Sequence, residues 1–523
     1  MRNHGLIWIK CKKFFKKSPL SIETSSQKYE RWIKAHEIQK NLTGDIQKKF
    51  HYNPAISIVM PVWNTHERWL HLAIQSVLNQ SYTNWELCIA DGKSTNPNIK
   101  KILDNYAEKD KRIKTVFLNE NRGIAGNTNE ALKLAGGSYI CFLDHDDELS
   151  SNCLYEIVKL LNLNPDFDII YSDNDKIDES GSRKDPFFKF DFSLPALLST
   201  NYPFHLFLCR RSLIESVGGL RYGFEGSQDY DLILRVVEKT HPQKIAHIDK
   251  ILYHWRTVRE SSAHSSTAKP YAYFAGKLAL EEYLVRNNIA GQVYELAPGS
   301  YQVKKEIPKY QDVLILVMTP NQKNEAFIHQ FNSILEKTTY PVKKIFIPEI
   351  YENELTVSNI QTFRNNSSEY VKEICKTEIF NFLIFVSDEF KMEENFEINP
   401  EWIDALIEHF FYFNVGVVGT GSLVFSNIIC NVERPCGPVF CTKRDQINAF
   451  LSHEHPSYPK DYDDFQIKLS DFSKTIPVEN LYTPFSVGNI PQYGRISQYY
   501  SNFQSRKYFT QNMEFYLPSN LSS

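Results

Sequence analysis

From residue 56 to residue 143 the chain alternates short apolar runs with amphipathic stretches, and this alternation limits the fold more than any other feature. The runs Ile56-Ser57-Ile58-Val59-Met60, Trp85-Glu86-Leu87-Cys88-Ile89-Ala90 and Tyr139-Ile140-Cys141-Phe142-Leu143 read as buried strands, and a further strand is expected over 113–118. Helices are expected between them, over 66–79, 98–109 and 126–135. In the first of these, Leu70, Ala73, Ile74, Val77 and Leu78 recur at three- and four-residue spacing. Strands that alternate with helices build an α/β domain around a mostly parallel sheet. In such sheets ligands bind beyond the carboxyl ends of the strands. Pro61, Asp91 and Asp144 each stand at such an end, so one crevice is expected to gather all three.

Asp144-His145-Asp146-Asp147 directly follows the run at 139–143. Three carboxylates and a histidine at a strand end cannot all be packed away dry. Ionised and crowded, they repel one another unless a cation or a basic group sits among them. The simplest cation is a divalent metal with oxygen ligands, and its usual companion is a phosphate-bearing substrate. A solvated acidic turn is the plain alternative. A second acidic cluster is Glu225-Gly226-Ser227-Gln228-Asp229-Tyr230-Asp231, where a helix is expected to start. A carboxylate there can cap free N–H groups. Three acids exceed what capping needs, and one held near a sugar hydroxyl can remove its proton. A further strand-like run contains Tyr253-His254-Trp255-Arg256. His254 is either a satisfied core histidine or an imidazole for the metal, and Arg256 can meet a phosphate.

A chain of 523 residues exceeds one core, so two or three domains are expected. The net charge of −3 offers no polycation for nucleic acid. Nine cysteines without a C-x-x-C pair point to buried reduced thiols and a cytoplasmic setting. No apolar run approaches the ~20 residues that cross a bilayer. Residues 1–53 are expected to form a charged, helical lead-in. Its Leu6-Ile7-Trp8-Ile9 and the lysines and phenylalanines of 10–17 suit either the interface of an anionic membrane or a basic tail. A weak repeat follows. Val313-Leu314-Ile315-Leu316-Val317-Met318 echoes the strand at 56–60, and Phe382-Leu383-Ile384-Phe385-Val386 echoes the strand before Asp144. A second α/β domain of the same plan is therefore expected from about residue 311, with a junction at 301–310.

Several motifs in order carry a resemblance to a known family. They are Ser57-Ile58-Val59-Met60-Pro61-Val62-Trp63-Asn64, Ser76-Val77-Leu78-Asn79-Gln80-Ser81-Tyr82, Asn121-Arg122-Gly123-Ile124-Ala125-Gly126-Asn127-Thr128-Asn129, Asp144-His145-Asp146, Gln228-Asp229, Tyr253-His254-Trp255-Arg256 and Ser265-Ser266-Thr267-Ala268. On these, residues 54 to about 300 resemble the family 2 glycosyltransferases, inverting enzymes of the GT-A fold, and among them the bacterial O-antigen and capsule enzymes with tandem domains. The resemblance implies a catalytic GT-A domain over 54–305, a degenerate GT-A-like domain over 311–510 and a tail over 511–523. It implies that Asp144 and Asp146, with His145 between them, hold Mn²⁺ or Mg²⁺ against the diphosphate of a nucleotide sugar; His254 is the further metal ligand that the residues themselves offer. Pro61, Trp63, Asn64 and Asp91 would line the nucleobase and ribose pocket, Arg122 would add charge, and Asp229 would be the base. The acceptor would be a glycan, lipid-linked and met at the cytoplasmic face of the membrane.

There are two departures from the family pattern. Gly92 stands where the family often has a second acid after Asp91. In the second domain Ser387 and Glu389 stand where Asp144 and Asp146 do, so that domain is expected to be inactive and to serve dimerisation, acceptor binding or scaffolding. Asp461-Tyr462-Asp463-Asp464 echoes the second acidic cluster in more than one register. Two other classes are weighed. A glycan- or nucleotide-binding assembly partner would need the acids of the first domain to be lost, and they are present. A nucleotidyltransferase carries a glycine-rich basic loop, which Pro61-Val62-Trp63-Asn64-Thr65 is not.

Overall fold

The computed structural model describes residues 25–37, 50–257, 270–307, 310–318, 323–364, 368–387, 401–408 and 439–452, with short strands at 397–398, 415–419, 430–431, 479–482 and 488–489. The basic segment 6–17, the motif at 265–268, Asp388, Glu389, the acids at 461–464 and the tail at 511–523 lie outside the described residues. Helix α1 (Ser25–His36) falls in a unit of its own, and everything from residue 41 onward forms a second unit.

The second unit begins with the expected alternation: β1 (Ile56–Val62), α2 (Glu67–Leu78), β2 (Trp85–Asp91), α3 (Pro97–Lys109), β3 (Ile113–Phe117), α4 (Gly123–Leu132) and β4 (Tyr139–Phe142). Each boundary has a local cause. Asn96 accepts a hydrogen bond from the Asn98 amide, and Pro97 supplies the first turn of α3. Helix α4 starts three residues earlier than expected. There the Asn127 side chain accepts from the Arg122 amide at 3.1 Å, and Gly123 takes φ +68. Strand β1 is buried along its whole length, which is why it reads as a continuous apolar run. Leu70, Ile74 and Val77 of α2 and Ile99 and Leu103 of α3 close one face of the sheet over it.

The chain continues through β5 (Glu148–Leu149), α5 (Cys153–Leu163), β6 (Ile169–Ile177), β7 (Arg183–Phe187), α6 (Leu194–Leu197), β8 (Phe207–Arg210), α7 (Arg211–Ser216), α8 (Gln228–Val237), β9 (Ile245–Arg256), α9 (Pro270–Arg286), β10 (Gly291–Ala297) and β11 (Ser300–Lys305). Nine strands form one sheet in the order β3-β2-β1-β4-β8-β6-β9-β5, with β7 beside β6. The sheet is parallel-rich, as expected, with antiparallel strands mixed in, and β6 and β9 pair in parallel. β1, β2, β3 and β4 run parallel, but β8 runs antiparallel to both β4 and β6. Residues 188–206, with the short α6 among them, carry the chain from β7 to β8, and both of these strands run antiparallel to β6. The β10–β11 hairpin stands apart as a two-stranded sheet.

A second sheet is built from β12 (Val313–Met318), β13 (Lys344–Pro348), β14 (Ile360–Phe363), β15 (Phe382–Ser387), β16 (Glu397–Ile398, paired elsewhere), β17 (Val415–Gly419), β18 (Cys430–Asn431), β19 (Val439–Lys443) and β20 (Glu479–Tyr482), with helices α10 (Glu325–Lys337), α11 (Ser368–Thr377) and α12 (Trp402–Ile407). Its order is β14-β13-β12-β15-β19-β17-β20-β18. β12 lies parallel to β13 and β15, and β19 runs antiparallel to β15 and β17, the same directions as in the first sheet. The edge strands differ in chain order: β5 follows β4 directly, whereas β18 falls between β17 and β19. Among the described residues, six cysteines are buried and free, and no helix is long and apolar enough to cross a membrane.

Candidate active site

The turn after β4 is pinned by the last residues of β9. Tyr253 donates its hydroxyl proton to Asp147 Oδ2 at 2.6 Å, and the Arg256 amide donates to Asp147 Oδ1 at 2.7 Å. Arg256 Nε donates to the Asp146 carbonyl at 2.7 Å, and its guanidinium pairs with Glu148 and lies over the Trp69 ring. Asp147 is thus the buried anchor of the turn, while Asp144, His145 and Asp146 keep partial exposure. Burial, and then the charges of Asp146 and Asp144, hold the Asp147 carboxyl well above the usual carboxylate range. A turn so crowded with carboxylates carries the negative charge that an oxygen-ligated divalent cation relieves, so these residues fit such an ion.

Among the described residues, Asp144, Asp147 and His205 form the group whose candidate ligand atoms all lie within 4.8 Å of one another. His205 is absent from the sequence expectations. It lies just before β8, its ring stacks on Tyr253 at 4.8 Å, and burial with the nearby Lys189 cation pushes it down to about 3. The ring is therefore neutral, the form that binds metals. A lone histidine in Pro203-Phe204-His205-Leu206 carries no spacing signal. It reaches Asp144 only because β8 pairs beside β4, with Cys141 opposite Leu208.

The structure does not bring His254 into this group, and the expected metal role is corrected. His254 is buried, and its Nδ1 lies 2.6 Å from Asp175 Oδ1, a carboxylate that also pairs with Arg183. Arg256 is likewise no free phosphate ligand, because the acidic turn itself uses it. Asp146 sits in the turn but outside the group of three.

Val62 and Asp91 lie opposite each other in register at the ends of β1 and β2; of the three expected strand-end residues, Pro61 and Asp144 line the cleft and Asp91 does not. Asp91 is buried and accepts from Ser94 Oγ at 2.5 Å. Asn64 donates its amide to Ser94 Oγ at 2.9 Å and accepts from the Thr95 amide at 2.7 Å, so the two loops are tied together. Its φ of +49 suits an asparagine whose side chain bonds locally. Trp63 is 49% exposed and is open to stack on a planar ligand. Gly92 leaves room for its neighbour: a Cβ there would come within 2.3 Å of Asn127 Nδ2, so a side chain at this position requires Asn127 to move. Arg122 pairs with Glu130 at 2.6 Å on the surface of α4 and does not line the crevice.

Asp229 sits in the first turn of α8. Its Oδ2 accepts from Asn201 Nδ2 at 3.0 Å and its Oδ1 from the Tyr230 amide at 2.8 Å, while burial pushes its carboxyl up to about 6. The other acids of that cluster serve structure. Asp231 is fully buried between Arg221 and Arg235, and Glu225 accepts from the Gly223 amide. One cleft is lined by Pro61, Ile124, Asp144, His205, Gln228 and Asp229, so the end of β1, the acidic turn and the start of α8 meet.

A mixed sheet of this order, with an acidic turn at the end of β4 and a raised carboxyl facing it, defines a glycosyltransferase domain of the GT-A type. Residues 57–218 match the family described as Glycosyl transferase family 2. WcaA of Escherichia coli, named as a colanic acid biosynthesis glycosyl transferase, is 30% identical over 286 residues, which cover 52% of this chain and 97% of that protein. The chain belongs to glycosyl transferase family 2. It is also similar to an uncharacterized protein, y4gI, of Sinorhizobium fredii (38% identical, 59% of this chain and 34% of that one). The O-antigen biosynthesis protein RfbC of Myxococcus xanthus is 29% identical, over 75% of this chain and 31% of that one. The chain thus spans about a third of the length of these last two relatives.

Proposed function

We propose that residues 54–305 form a catalytic domain that transfers a sugar, with inversion, from a nucleoside diphosphate sugar to a hydroxyl of a growing, lipid-linked surface polysaccharide. The observation that carries this reading is Asp229, a carboxyl pushed up to about 6 that shares one cleft with Asp144. Such a group is ionised at neutral pH yet basic enough to take a proton from an acceptor hydroxyl. A single displacement inverts the anomeric carbon without an enzyme nucleophile, so one base suffices. Asn201 and the Tyr230 amide aim the carboxylate.

Asp144 and Asp146 would hold Mn²⁺ or Mg²⁺, and His205 offers a neutral nitrogen near Asp144. When bound, the ion supplies positive charge against the departing diphosphate. Trp63 and Pro61 would cover the nucleobase, with Asn64 and Asp91 toward the ribose. Relatives named for O-antigen and colanic acid biosynthesis support the polysaccharide class. The basic residues of 10–17 support peripheral contact with an anionic leaflet from the cytoplasmic side. Residues 311–510 would be a degenerate domain of the same plan: β15 ends in Ser387, which brings no charge where β4 leads into Asp144. Its role would be acceptor binding or homodimer formation.

The test is a panel of nucleotide sugars assayed for hydrolysis with and without Mn²⁺. One donor is expected to be hydrolysed, only with metal, and not by Asp146→Asn. If the wild-type chain hydrolyses none of them, an assembly partner without catalysis replaces this reading.

A further inference from the structure

A second cavity, of about 550 Å³, lies away from the cleft just described, between the β10–β11 hairpin and the second half of the chain. We infer that it is a binding subsite for a neutral oligosaccharide, the part of the acceptor remote from the reacting hydroxyl; this rests on the glycosyltransferase reading above.

The hairpin register puts Tyr294 opposite Gln302 and Gln292 opposite Lys304, so Gln292, Tyr294 and Lys304 share one face. The alternate residues Val293, Tyr301, Val303 and Lys305 are buried on the other face. Across the cavity stand Tyr310, Tyr340 and Asp404. Tyr340 is a fixed wall: its ring is 3% exposed, and its hydroxyl accepts from the Gln311 amide at 2.8 Å and donates to the Gln311 carbonyl at 3.0 Å. Tyr310 leans on it at 5.3 Å between ring centroids and is itself 74% exposed. Tyr294 is 43% exposed.

This lining selects a ligand class. Aromatic rings take the apolar C–H face of a sugar ring, and the Gln292 amide and the Asp404 carboxyl offer partners to its hydroxyls, while the Tyr294 hydroxyl donates to Gln292 Oε1 at 2.5 Å. The lining sets Lys304 and Lys305 against Glu306 and Asp404, and Lys304 is also paired with Glu401 at 2.5 Å, so no surplus of cations faces the space. A polyanion would need a surplus of cations, and an apolar peptide would need a lining without these polar groups. The volume is in the ligand-pocket range of roughly 300–1,000 Å³, enough for more than one sugar residue.

The hairpin also ties this cavity to the proposed base. Tyr301 stacks on Tyr230, the neighbour of Asp229, with centroids 6.1 Å apart, and its amide donates to the Ser199 carbonyl at 2.8 Å. From Tyr301 to Lys304 the strand runs only about 10 Å. One short strand therefore carries the packing of the base at one end and the cavity wall at the other. A glycan chain held at two points binds more tightly than at either alone.

The experiment uses the full chain on an array of oligosaccharides from bacterial surface polysaccharides. Wild type is expected to bind at least one of them. Tyr294→Ala with Tyr310→Ala should weaken that binding on the order of tenfold or more, while Asp229→Asn keeps it. Tyr294→Phe, which retains the ring, should bind nearly as wild type does. Thermal melts check that each variant is folded; both tyrosines are exposed, so their loss leaves the core intact. Binding that survives the double alanine change but is lost in Asp229→Asn overturns the subsite and leaves the catalytic reading standing. Absence of binding to the whole array also overturns the subsite. Donor hydrolysis measured on the same preparation reports separately on the catalytic reading.

Discussion

Strands β4 and β15 hold the same place in their two sheets and end in different chemistry. Each lies parallel to the first strand of its sheet and beside an antiparallel neighbour, and each is buried along its length. Beyond β4 come three carboxylates, anchored by Tyr253 and Arg256. At the end of β15 stands Ser387. The difference separates what builds a sheet from what makes a site. Strand order follows from apolar runs that must be covered on both faces, and both halves keep them. Chemistry at a strand end rests on a few residues beyond it, and a serine at the end of β15 leaves the strand order unchanged. The acids of the first half are even a burden on folding, since burial and mutual repulsion favour the neutral form of Asp147.

The largest effect is expected from the acids themselves. Asp146→Asn or Asp144→Asn should lower donor turnover on the order of 10³-fold or more. Asp388→Asn and Glu389→Gln, in the second half, should leave it unchanged. Steady-state hydrolysis of the donor measures both. A second-half variant that loses as much as Asp146→Asn would break the assignment of the active site to the first half.

Next comes the base. Asp229→Asn should reduce kcat by about 10²–10³-fold while the donor still binds. Wild-type activity should fall as pH drops through about 6, where Asp229 takes up its proton. Stability should move the other way. The folded carboxyl sits at about 6 against an ordinary value of 3.8, so burial of the ionised form penalises the folded state above pH 6. The penalty, at most about 3 kcal/mol, shrinks as pH falls from 6 and is gone below 3.8, where both states are protonated. Asp229→Asn should therefore raise the melting temperature at pH 7 and leave it unchanged near pH 3.5. Equal melting at both values would show that burial of this charge costs little.

The anchor of the acidic turn ranks third. Tyr253→Phe removes the donor to Asp147 Oδ2 and should cost about 1–3 kcal/mol in chemical denaturation. It should also loosen the turn, so half-saturation by Mn²⁺ should rise. Unchanged metal affinity would mean that Asp144 and Asp146 keep their places without help from β9.

How much of this was readable from residues alone varies along the chain. Strands and helices over 56–143 were readable because parallel strands covered on both faces appear as unbroken apolar runs, with helical spacing between them. The meeting of Pro61 with Asp144 followed from the position of strand ends. The antiparallel entry of β8 was not readable, because strand direction depends on which neighbour a short run finds. His205 was missed for the same reason. His254 had the better motif but not the place: Asp175, 79 residues away in the chain, takes its ring. Gly92 looked like a lost acid and is instead a residue on which Asn127 packs.

The smallest effect concerns Arg122, where the motif and the geometry differ most. The motif puts this residue beside the nucleotide, where losing a cation that touches phosphate would raise the donor KM many-fold. In the structure its guanidinium pairs with Glu130 at 2.6 Å and lies 3.5 Å from Glu120, with 41% of the side chain exposed. A pair that open to water is screened by solvent and salt, and contributes roughly 0–1 kcal/mol. Arg122→Ala should then change the donor KM less than about fivefold and stability by less than about 1 kcal/mol. Glu130→Gln frees the guanidinium without removing it. If Arg122 turns to the donor only when donor is bound, Arg122→Ala should raise KM tenfold or more and Glu130→Gln should lower it. Equal, small effects of the two variants would instead make Arg122 a surface partner of α4, and leave the contacts to the nucleotide to the loops after β1 and β2.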